Sequence, residues 1–359
     1  MKKPPTRLKT HDEYTVAVVC AMSFEMSAVR GMLDHEHPRL RGKDGDPNNY
    51  ILGEITGHNT VLACLPGQQG KGAAAIVATN LSRTFPSIKW WFLVGIAGGV
   101  PDRHDIRLGD VVISMPEGEY GGVVQYDLGK DTDSGFLRKG FLWPPPPRLR
   151  SAVETMRSDH LFGNNKIEDF LAEMFQKWPR LAAYTRPPSE SDVLYRNDYP
   201  HVSGAASCAD CDLSQTVDRP LRQSEDSIIH YGLIASGDSV LKSGTKRKAA
   251  VRSLGDVLCF EMEAAGLMTN FPCIVIRGIS DYADSHKNDG WHYFAAAAAA
   301  ACTKELLSYL DAETDSVVLP PTDAAAATDN TPLTSHNFNG RGIQHSGSGN
   351  FSAGSIHIG

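Results

Sequence analysis

Three acidic side chains follow the ends of two successive apolar segments in the second half of the chain. Glu261 and Glu263 come after the run 257–259, and Asp281 comes after the apolar segment 273–279. Because ligands of open α/β sheets bind outside the carboxyl ends of parallel strands, these carboxylates are expected to converge on one pocket. A carboxylate there can accept two sugar hydroxyls or hand a proton to a heteroatom. Each acid alone could be a helix cap or a solvated turn residue, but three of them at adjacent strand ends favour a binding site.

These acids belong to a regular alternation of strand and helix signals. Residues 15–22 form a continuous apolar run rich in β-branched side chains, which is typical of a buried parallel strand. Residues 23–33 repeat apolar side chains every four positions, which predicts a helix. The alternation predicts an α/β fold with a central, largely parallel or mixed sheet. Further elements are predicted at residues 50–55, 60–65, 73–81, 90–94, 111–114, 166–177, 228–235, 263–270 and 291–310.

The composition separates a folded part from flanking segments. Residues 1–13 form a polar leader, and residues 14–311 form one domain with a polar, turn-rich insert at about 184–222. Residues 312–337 are rich in Ala, Asp, Thr and Pro and are expected to be a disordered linker. Residues 338–359 combine frequent Gly with Asn, Gln and Ser, spaced Ile and Phe, and a single charge. Such a segment can stack in register with copies of itself, or it can be a plain flexible tail.

Composition and charge argue against several classes of protein. The chain has 359 residues, 41% of them hydrophobic, which is enough for one large α/β domain or two ordinary ones. A net charge of -7 without a long basic run argues against nucleic-acid binding. Seven cysteines, an odd number, together with a start that lacks an apolar signal segment, indicate a reducing, cytoplasmic location. No apolar run reaches the roughly 18 residues that a membrane helix needs, so no membrane contact is expected.

The ordered motifs resemble those of the nucleoside phosphorylase and nucleosidase superfamily. They are the segments 21–25, 95–99, 236–241, 260–263 and 279–281. The chain looks like the fungal branch often found at the N-terminus of NOD-like receptor proteins, and the resemblance covers residues 14–310. It implies one α/β domain whose mixed sheet is partly closed into a barrel and surrounded by helices. It also implies a homo-oligomer in which a neighbour often completes the site.

The segment 260–263 matches the ribose motif of the superfamily. By this resemblance Met262 packs on the sugar and Glu263 accepts its 2′ and 3′ hydroxyls, while the adjacent Glu261 belongs to the same substrate site. Asp281 matches the acid that protonates a purine at N7. Protonation turns the departing base into a neutral leaving group, and the transition state of such a reaction is oxocarbenium-like.

Two further segments match parts of the family site. The loop 95–99 corresponds to the segment beneath the sugar and the nucleophile, and the segment 236–241 to the one that frames the base. Where relatives carry an aromatic side chain over the base, this chain has an aliphatic pair, so base stacking is expected from Tyr126 or Phe141. Ile96 stands where some relatives carry a polar residue. The substrate-binding residues that the resemblance implies in these segments are Ala97, Gly98, Ser236, Val240 and Leu241.

The first loop of the superfamily decides between hydrolysis and phosphorolysis. Phosphorylases place glycine and arginine there to hold phosphate. Residues 21–25 instead resemble the nucleosidase loop, in which a glutamate activates water, so Glu25 is the candidate general base. Alternatively, Glu25 is an exposed acid in a first helical turn, where the helix dipole favours negative charge. The glycine-rich segment 67–72 lacks the Lys-Ser/Thr ending of a Walker loop, and the role of Lys71 is left open.

The insert carries two groups of side chains that could bind ligands. Cys208 and Cys211 form a C-x-x-C pair with His201 nearby, but a single such pair is weak evidence for zinc. No metal and no cofactor are therefore predicted, and the two cysteines stay weak candidates. Three arginines could hold substrate phosphates bidentately or simply solvate a loop, namely Arg196, Arg219 and Arg222.

The leading hypothesis is an N-glycosidase that hydrolyses purine, above all adenine, nucleosides or nucleotides, with ATP as a candidate substrate. A phosphate-dependent phosphorylase is the alternative among enzymes, and a non-catalytic assembly module is the alternative of a different class. The segment 338–359 resembles fungal amyloid-signalling motifs, and residues 355–359 look like the core of mammalian necroptosis-type motifs. This resemblance implies an immune or cell-death effector triggered by a NOD-like receptor that carries a matching motif.

Overall fold

The computed structural model describes residues 9–205, 207–286 and 289–312. Most of the predicted linker and the whole segment 338–359 lie outside the described residues. No helix within the described ranges is long and apolar enough to cross a membrane. The strands are β1 (Val16–Cys20), β2 (His35–His37), β3 (Tyr50–Ile55), β4 (His58–Cys64), β5 (Trp90–Gly99), β6 (Val111–Ser114), β7 (Val123–Gln125), β8 (Gly129–Thr132), β9 (Gly135–Arg138), β10 (Ile229–Ser236), β11 (Val257–Glu261) and β12 (Ile274–Asp281). The α-helices are α1 (Ser23–Gly31), α2 (Lys71–Thr84), α3 (Pro147–Leu161), α4 (Ile167–Lys177), α5 (Gly244–Leu254), α6 (Ala264–Met268) and α7 (His292–Leu307).

A mixed sheet of ten strands forms the centre of the fold. On one side β1 pairs in parallel with β4 and β5, and β3 and β2 continue this side with antiparallel pairs. On the other side the order runs β5, β12, β6, β10, β11. The end of β5 then pairs a second time, through Gly98 and Gly99, with Phe260 and Cys259 of β11. This contact closes five strands into a barrel, which confirms the predicted α/β class with a mixed, partly barrel-like sheet.

The central strands are apolar because both of their faces are covered. Every residue of β1 and β12 is buried, which explains why these segments read as continuous apolar runs and do not alternate. The alanine-rich helix α7 packs on β12 and β5. A Cβ atom at Gly278 would lie 1.8 Å from the carbonyl oxygen of Ala295, so glycine is needed for strand and helix to approach this closely.

Two element boundaries near the acidic residues differ from the prediction. Strand β12 continues through Ser280 to Asp281, because its pairing with β5 extends past the predicted end at residue 279. Helix α6 is shorter than the predicted 263–270, and Glu263 is its N-cap residue. The antiparallel hairpin of β8 and β9 and the helix α3 were not predicted, because neither segment shows a strong hydrophobic period.

Candidate active site

A cavity of about 190 Å³ opens at the carboxyl ends of β5, β11 and β12. Glu261, Glu263 and Asp281 line this cavity, and Glu25 reaches it from the first turn of α1. The three strand-end acids therefore lie at one cavity, where their positions in the sequence led us to expect them. Four carboxylates and one guanidinium group share a small volume, so the electrostatics of the cavity depend on how each charge is compensated.

A buried arginine holds two of these acids together. Arg277 lies in the middle of β12 and is 1% exposed. Its Nη2 donates to Oε2 of Glu261 at 2.5 Å and to Oε2 of Glu263 at 3.2 Å, and its Nη1 donates to the carbonyl oxygen of Ile96 at 3.3 Å. Burial opposes the charge, but the attraction of Glu261, Glu263 and Glu25 dominates and raises the pKa of Arg277 above its ordinary value. The guanidinium group therefore stays charged in the interior.

Backbone donors from two elements fix Glu25. The N–H groups of Ala21 and Met22 both donate to Oε2 at 2.9 Å, and the N–H of Ile96 donates to Oε1 at 2.8 Å. The carboxylate thus bridges the start of α1 and the end of β5. Because a carboxylate has about four acceptor sites, three backbone donors leave capacity for one further ligand such as a water molecule.

Glu25 is not the exposed first-turn acid of the alternative interpretation, because only 1% of it is exposed. Burial raises the pKa of Glu25 to about 7, although Arg277 and the backbone donors act in the opposite direction. A Cβ atom at Gly95 would lie 2.4 Å from Oε1 of Glu25 and 2.5 Å from Nη1 of Arg277, so the absence of a side chain makes room for both groups. A carboxyl group that titrates near neutral pH can act as a general base.

A bulge and a strained turn orient Asp281. Ser280 is an extra residue between the pairs that Ile279 and Asp281 make with β5, and such a bulge changes the direction of the following side chain. The N–H of Ala283 donates to Oδ1 of Asp281 at 2.8 Å. Ala283 has a φ of 50°, a conformation that is uncommon for a residue with a side chain and occurs often at functional sites. A Cβ atom at Gly98 would lie 2.8 Å from the same oxygen of Asp281.

The N-terminus of α6 is built on Glu261 and Ser236. Glu261 accepts hydrogen bonds from the N–H groups of Glu263 and Ala264, with distances of 3.0–3.2 Å. The hydroxyl oxygen of Ser236 accepts from the N–H of Ala265 at 3.0 Å. Ser236 is therefore buried under this helix and does not line the cavity, where the resemblance had implied a contact with the base.

The loop before α2 contacts Glu263 from the other side. The N–H of Gly70 donates to Oε1 of Glu263 at 3.1 Å, and burial raises the pKa of this carboxyl group. Lys71, whose role was left open, donates through Nζ to Asp127 at 2.7 Å and lies 3.2 Å from Asp238. This ion-paired cluster holds the loop against the segment that follows β10.

The wall of the cavity includes five of the predicted residues and Phe260. Met262, Val240 and Leu241 line the cavity, as do Ala97 and Gly98, which lie in strand β5 and not in the predicted loop 95–99. Tyr126 and Phe141, the predicted stacking partners, are not among the residues that line it. The ring of Tyr126 lies edge-on to that of Phe260, with 5.6 Å between centroids, and Phe141 packs on Trp143 at 5.5 Å. Among the described residues, the rings that line this cavity and could stack on a base are the phenyl ring of Phe260 and the imidazole of His292.

A comparison with models of protein families identifies the family of the chain. The model described as "Phosphorylase superfamily" matches residues 15–168 and 178–311. The chain belongs to this superfamily. The match covers all the elements that line the cavity, from α1 to α7.

Two relatives with similar sequences are longer than the region that this chain matches. The chain is 42% identical over 298 residues to a nucleotide-binding leucine-rich repeat (NLR)-like protein of the fungus Hyaloscypha variabilis, covering 82% of this chain and 29% of that protein. It is 36% identical over 304 residues to the ATP nucleosidase Cap17 of Escherichia coli, covering 82% of this chain and 51% of that protein. The chain thus spans about half or less of the length of these two relatives.

A solved structure has a similar fold. It is the 5′-methylthioadenosine/S-adenosylhomocysteine nucleosidase of Neisseria meningitidis in complex with methylthio-immucillin-A, with a TM-score of 0.52 and 21% identity. The alignment covers 82% of this chain and 99% of that one. At this identity the likeness concerns the fold.

The arginines of the insert do not reach the superfamily cavity. Arg219 pairs with Asp192 at 3.0 Å and Arg222 with Asp110 at 2.7 Å, whereas Arg196 is exposed. None of the three lines the cavity of the four carboxylates. Arg219 and Arg222 thus form ion pairs with carboxylates of this chain, which favours the alternative in which the arginines serve the structure of the insert.

The two cysteines of the insert lie beside a histidine. One ligand atom each of His201, Cys208 and Cys211 lies within 4.8 Å of the other two. A second cavity, which Cys208 lines, shares Ser280 and Asp281 with the wall of the acidic cavity. The cluster is therefore a neighbour of the acidic site and not part of it.

Four residues that line the acidic cavity were not predicted from the sequence. The charge of Arg277 inside the otherwise apolar run 273–279 was a usable signal, because a charge in a buried strand requires a partner. Gln69 and His292 lacked a local signal because they reach the cavity from separate segments, and Ala283 lacked one because it lies in the turn after Asp281.

Proposed function

We propose that the chain is a purine nucleosidase, which hydrolyses the bond between C1′ of ribose and N9 of a purine. The observation that carries this proposal is the meeting of Glu25, Glu263 and Asp281 at one small cavity. Each acid is held by a backbone N–H, so the carboxylates are positioned before a substrate arrives. Such preorganisation is the main source of catalytic power in polar active sites.

The proposed reaction uses the three acids in different ways. Asp281 gives a proton to N7 as the C1′–N9 bond breaks, so that the bonding electron pair leaves with a neutral base. Positive charge develops on the sugar, and Glu263 accepts hydrogen bonds from its 2′ and 3′ hydroxyls. Glu25 takes a proton from water as the oxygen bonds to C1′. The products are free purine and a sugar with a hydroxyl group at C1′.

The charge of the cavity favours water over phosphate as the nucleophile. Four carboxylates line the cavity, and its guanidinium group, Arg277, already contacts two of them, Glu261 and Glu263. A phosphate dianion at the position of Glu25 would meet uncompensated negative charge in a low-dielectric environment. This is the physical argument against the phosphorylase alternative.

The base is proposed to be adenine and the substrate to include ATP. The relative named ATP nucleosidase Cap17 supports this, at 36% identity over 304 residues. Because the acidic cavity repels anions, the phosphates of a nucleotide must extend from the 5′ position toward solvent or toward a neighbouring subunit. The apolar walls formed by Phe260 and Met262 suit the flat faces of a base and a sugar.

The test is product analysis with the purified chain. Adenosine, 2′-deoxyadenosine, AMP and ATP are incubated with and without inorganic phosphate, and base release is followed by chromatography. We expect free adenine with ribose or ribose phosphates in the absence of phosphate, and slower turnover of the deoxy sugar because the diol contact with Glu263 is lost. Strict dependence on phosphate with ribose 1-phosphate as product would replace the proposal by phosphorolysis.

The biological role proposed is that of a fungal immune or cell-death effector. The identity of 42% to an NLR-like protein of a fungus supports an association with receptors. The trigger is proposed to be the segment 338–359, for which the support is its composition alone. As an isolated peptide this segment is expected to form fibres with the cross-β spacing of about 4.7 Å. A peptide that stays monomeric at high concentration would remove the trigger and leave the nucleosidase proposal untouched.

The chain is also proposed to assemble as a homo-oligomer. The hairpin of β8 and β9 and the segment after it expose large apolar side chains, which are Phe136, Leu137, Phe141 and Trp143. Exposed apolar groups of this size often mark contact surfaces between proteins. Light scattering should give a multiple of the 39.0 kDa chain mass, and a variant with Phe141 and Trp143 changed to Ser should shift to a smaller particle.

A further inference from the structure

The insert brings three metal-ligating side chains together without regular secondary structure. One ligand atom each of His201, Cys208 and Cys211 lies within 4.8 Å of the others. In a tetrahedral zinc site with Zn–S and Zn–N distances of about 2.3 and 2.0 Å, ligand atoms are about 3.5–4 Å apart. A small contraction of the cluster is therefore enough to reach that geometry. Cys208 and Cys211 are the C-x-x-C pair of the sequence, a spacing common to structural zinc sites.

The histidine of this cluster has the hydrogen bond that metal-bound histidines have. Nε2 of His201 lies 3.1 Å from the carbonyl oxygen of Ser207. A carbonyl oxygen can only accept, so Nε2 carries the proton and Nδ1 carries a lone pair. Metal-ligating histidines typically donate their other ring N–H to a carbonyl or a carboxylate in this way, which fixes both tautomer and ring orientation.

A second, independent observation points to a ligand at the same place. His286 is 9% exposed, and among the described residues neither of its ring nitrogens has a hydrogen-bond partner. Its Nδ1 lies 3.7 Å from Oδ1 of Asp284, which is beyond hydrogen-bond distance. Leaving a buried polar group without a partner costs about 1–3 kcal/mol, so such groups normally have one. The ring lies 5.6 Å from that of His201, and it lines the same cavity, of about 290 Å³, as Cys208.

We infer that His201, Cys208, Cys211 and His286 form a structural binding site for a zinc ion. Two thiolates and two imidazoles are the donor set that Zn²⁺ accepts in closed tetrahedral sites, and they exclude the oxygen-preferring cations Mg²⁺ and Ca²⁺. The site needs no co-reactant, because the metal binds as thiol protons are released to solvent.

The site would connect the insert to the turn that carries Asp281. His286 follows Asp281 by five positions, and the N–H of His201 donates to the hydroxyl oxygen of Ser285 at 2.9 Å. The other ligands, Cys208 and Cys211, come from the insert. A metal ion would thus join these two segments, and it would stabilise the folded chain by the free energy of binding.

Metal analysis of the full chain, produced without a histidine tag, tests the inference. After dialysis against a weak chelator, we expect about one zinc per chain in the unaltered protein. The variant Cys208→Ser/Cys211→Ser should contain almost none, whereas the matched control Cys64→Ser, which changes a half-buried cysteine elsewhere, should retain it. Zinc retained in the double variant, or no zinc bound by reduced protein after addition of Zn²⁺, would overturn the inference.

Cobalt substitution keeps the inference testable if the double variant does not fold. Titration of metal-free protein with Co²⁺ should produce thiolate charge-transfer absorption and the visible bands of a tetrahedral site. His286→Ala should weaken Co²⁺ binding at least tenfold, and His35→Ala, at an exposed position, should not. Unchanged affinity in His286→Ala would remove His286 from the site.

Thiol counting and thermal unfolding complete the test. All seven cysteines are free in the structure, so denatured and unreduced protein should react at seven thiols. Five reactive thiols, the seven minus a Cys208–Cys211 pair, would mean that a disulfide takes the place of the metal. Removal of the metal by a strong chelator should lower the unfolding temperature of the unaltered chain but not that of the double variant. Both results are independent of nucleosidase activity.

Discussion

The acidic cavity and the insert solve the same problem, the placement of charged side chains, by different means. In the cavity, Glu25 and Glu263 accept hydrogen bonds from backbone N–H groups of neighbouring elements, and Glu263 also contacts Arg277. In the insert, Arg219 is held mainly by side chains: it contacts the carboxylate of Asp192 and the hydroxyl of Tyr282, and it also donates to the carbonyl oxygen of Asp192. Backbone donors are a consequence of the fold, whereas each side-chain pair depends on two particular residues.

The difference follows from how each region is built. The cavity lies where β5 and β11 close the barrel. Ends of several strands and helices meet there, and their N–H groups have no partner within their own element, so they can donate to the carboxylates. The described residues of the insert form short 3-10 helices and a bridge between Tyr195 and Thr216 and no α-helix or longer strand. We therefore expect substitutions in the cavity to act on chemistry or on the whole fold, and substitutions in the insert to act on local stability.

The largest effect on chemistry is expected from Asp281→Asn. The amide cannot release a proton to N7, and loss of general-acid help typically costs on the order of 10²–10⁴ in rate. The variant should keep its unfolding temperature, because the amide oxygen can still accept from the N–H of Ala283. The measurement is kcat for adenine release beside thermal unfolding. Normal turnover in a folded variant would mean that the acid is elsewhere.

The next effect concerns the fold and tests whether the acidic cavity depends on a buried ion pair. Arg277→Met leaves Glu261 and Glu263 buried without their cation, and removal of one partner of a buried ion pair costs about 3–5 kcal/mol. The matched control is Arg30→Met, which breaks a surface pair with Glu36 and should cost less than about 1 kcal/mol. Urea unfolding measures both. Equal losses would show that Arg277 is not the centre of a buried network. If Arg277→Met does not fold, Arg277→Lys retains a charge for the same comparison.

The pH dependence of activity tests the state of Glu25. Because burial raises its pKa to about 7, kcat/KM should fall about tenfold per pH unit below that value, as the base becomes protonated. Glu25→Gln should be slow at every pH, and its kcat/KM should not show this fall at low pH. If Glu25→Gln still shows the fall, the titrating group is a different residue.

The raised pKa of Glu25 also makes the free energy of unfolding depend on pH. The pKa of Glu25 is raised from 4.5 to about 7 on folding, so folding favours the neutral acid. The stability that this group contributes is fully present below pH 4.5 and is lost as the pH rises through 7. The loss amounts to at most about 3 kcal/mol. Urea unfolding at a series of pH values between 4 and 8 measures it, with Glu25→Gln as the variant that removes the titration.

Much of the fold was predictable because each central strand can be recognised from its own short stretch of sequence. β1 and β12 are continuous apolar runs, and α7 is a long run of alanines, so class and element order follow from the sequence. The second pairing of β5 with β11 was not derivable from pattern, because it joins residues such as Gly99 and Cys259 that are far apart in the chain. The barrel entered the prediction through the family resemblance.

Part of the candidate site was predictable for the same reason. Strand ends lie at one edge of a sheet, so Asp281 and Glu263 could be expected at one cavity. The prediction for Ser236 differed from the structure because a hydroxyl next to a helix start can serve as a buried acceptor for its N–H groups. Tyr126 and Phe141 do not line the acidic cavity, because the aromatic ring that faces a cavity is determined by tertiary packing, which the spacing of residues in the sequence does not encode.

The smallest effect is expected in the insert, from Arg222→Met. Nη1 and Nη2 of Arg222 each donate to Asp110 at 2.7 Å, and His230 contacts the same carboxylate at 2.9 Å. Burial acts to raise the pKa of Asp110, but these bonds outweigh it and lower the pKa. Loss of the charged hydrogen bonds should reduce the free energy of unfolding by about 1.5–3 kcal/mol at neutral pH, where the carboxylate is ionised.

The difference in the free energy of unfolding between Arg222→Met and the unaltered chain should become smaller at acidic pH. A depressed pKa contributes stability that is present above the unfolded value of 3.8 and is lost as the pH falls through the lower folded value. Adenine release by Arg222→Met should stay within about twofold of the unaltered chain, because Arg222 does not line the acidic cavity. Urea unfolding at pH 7 and pH 3, with activity at pH 7, measures the three quantities. A large loss of activity at normal stability would mean that the insert acts on the reaction itself. It would contradict our expectation that substitutions in the insert affect local stability.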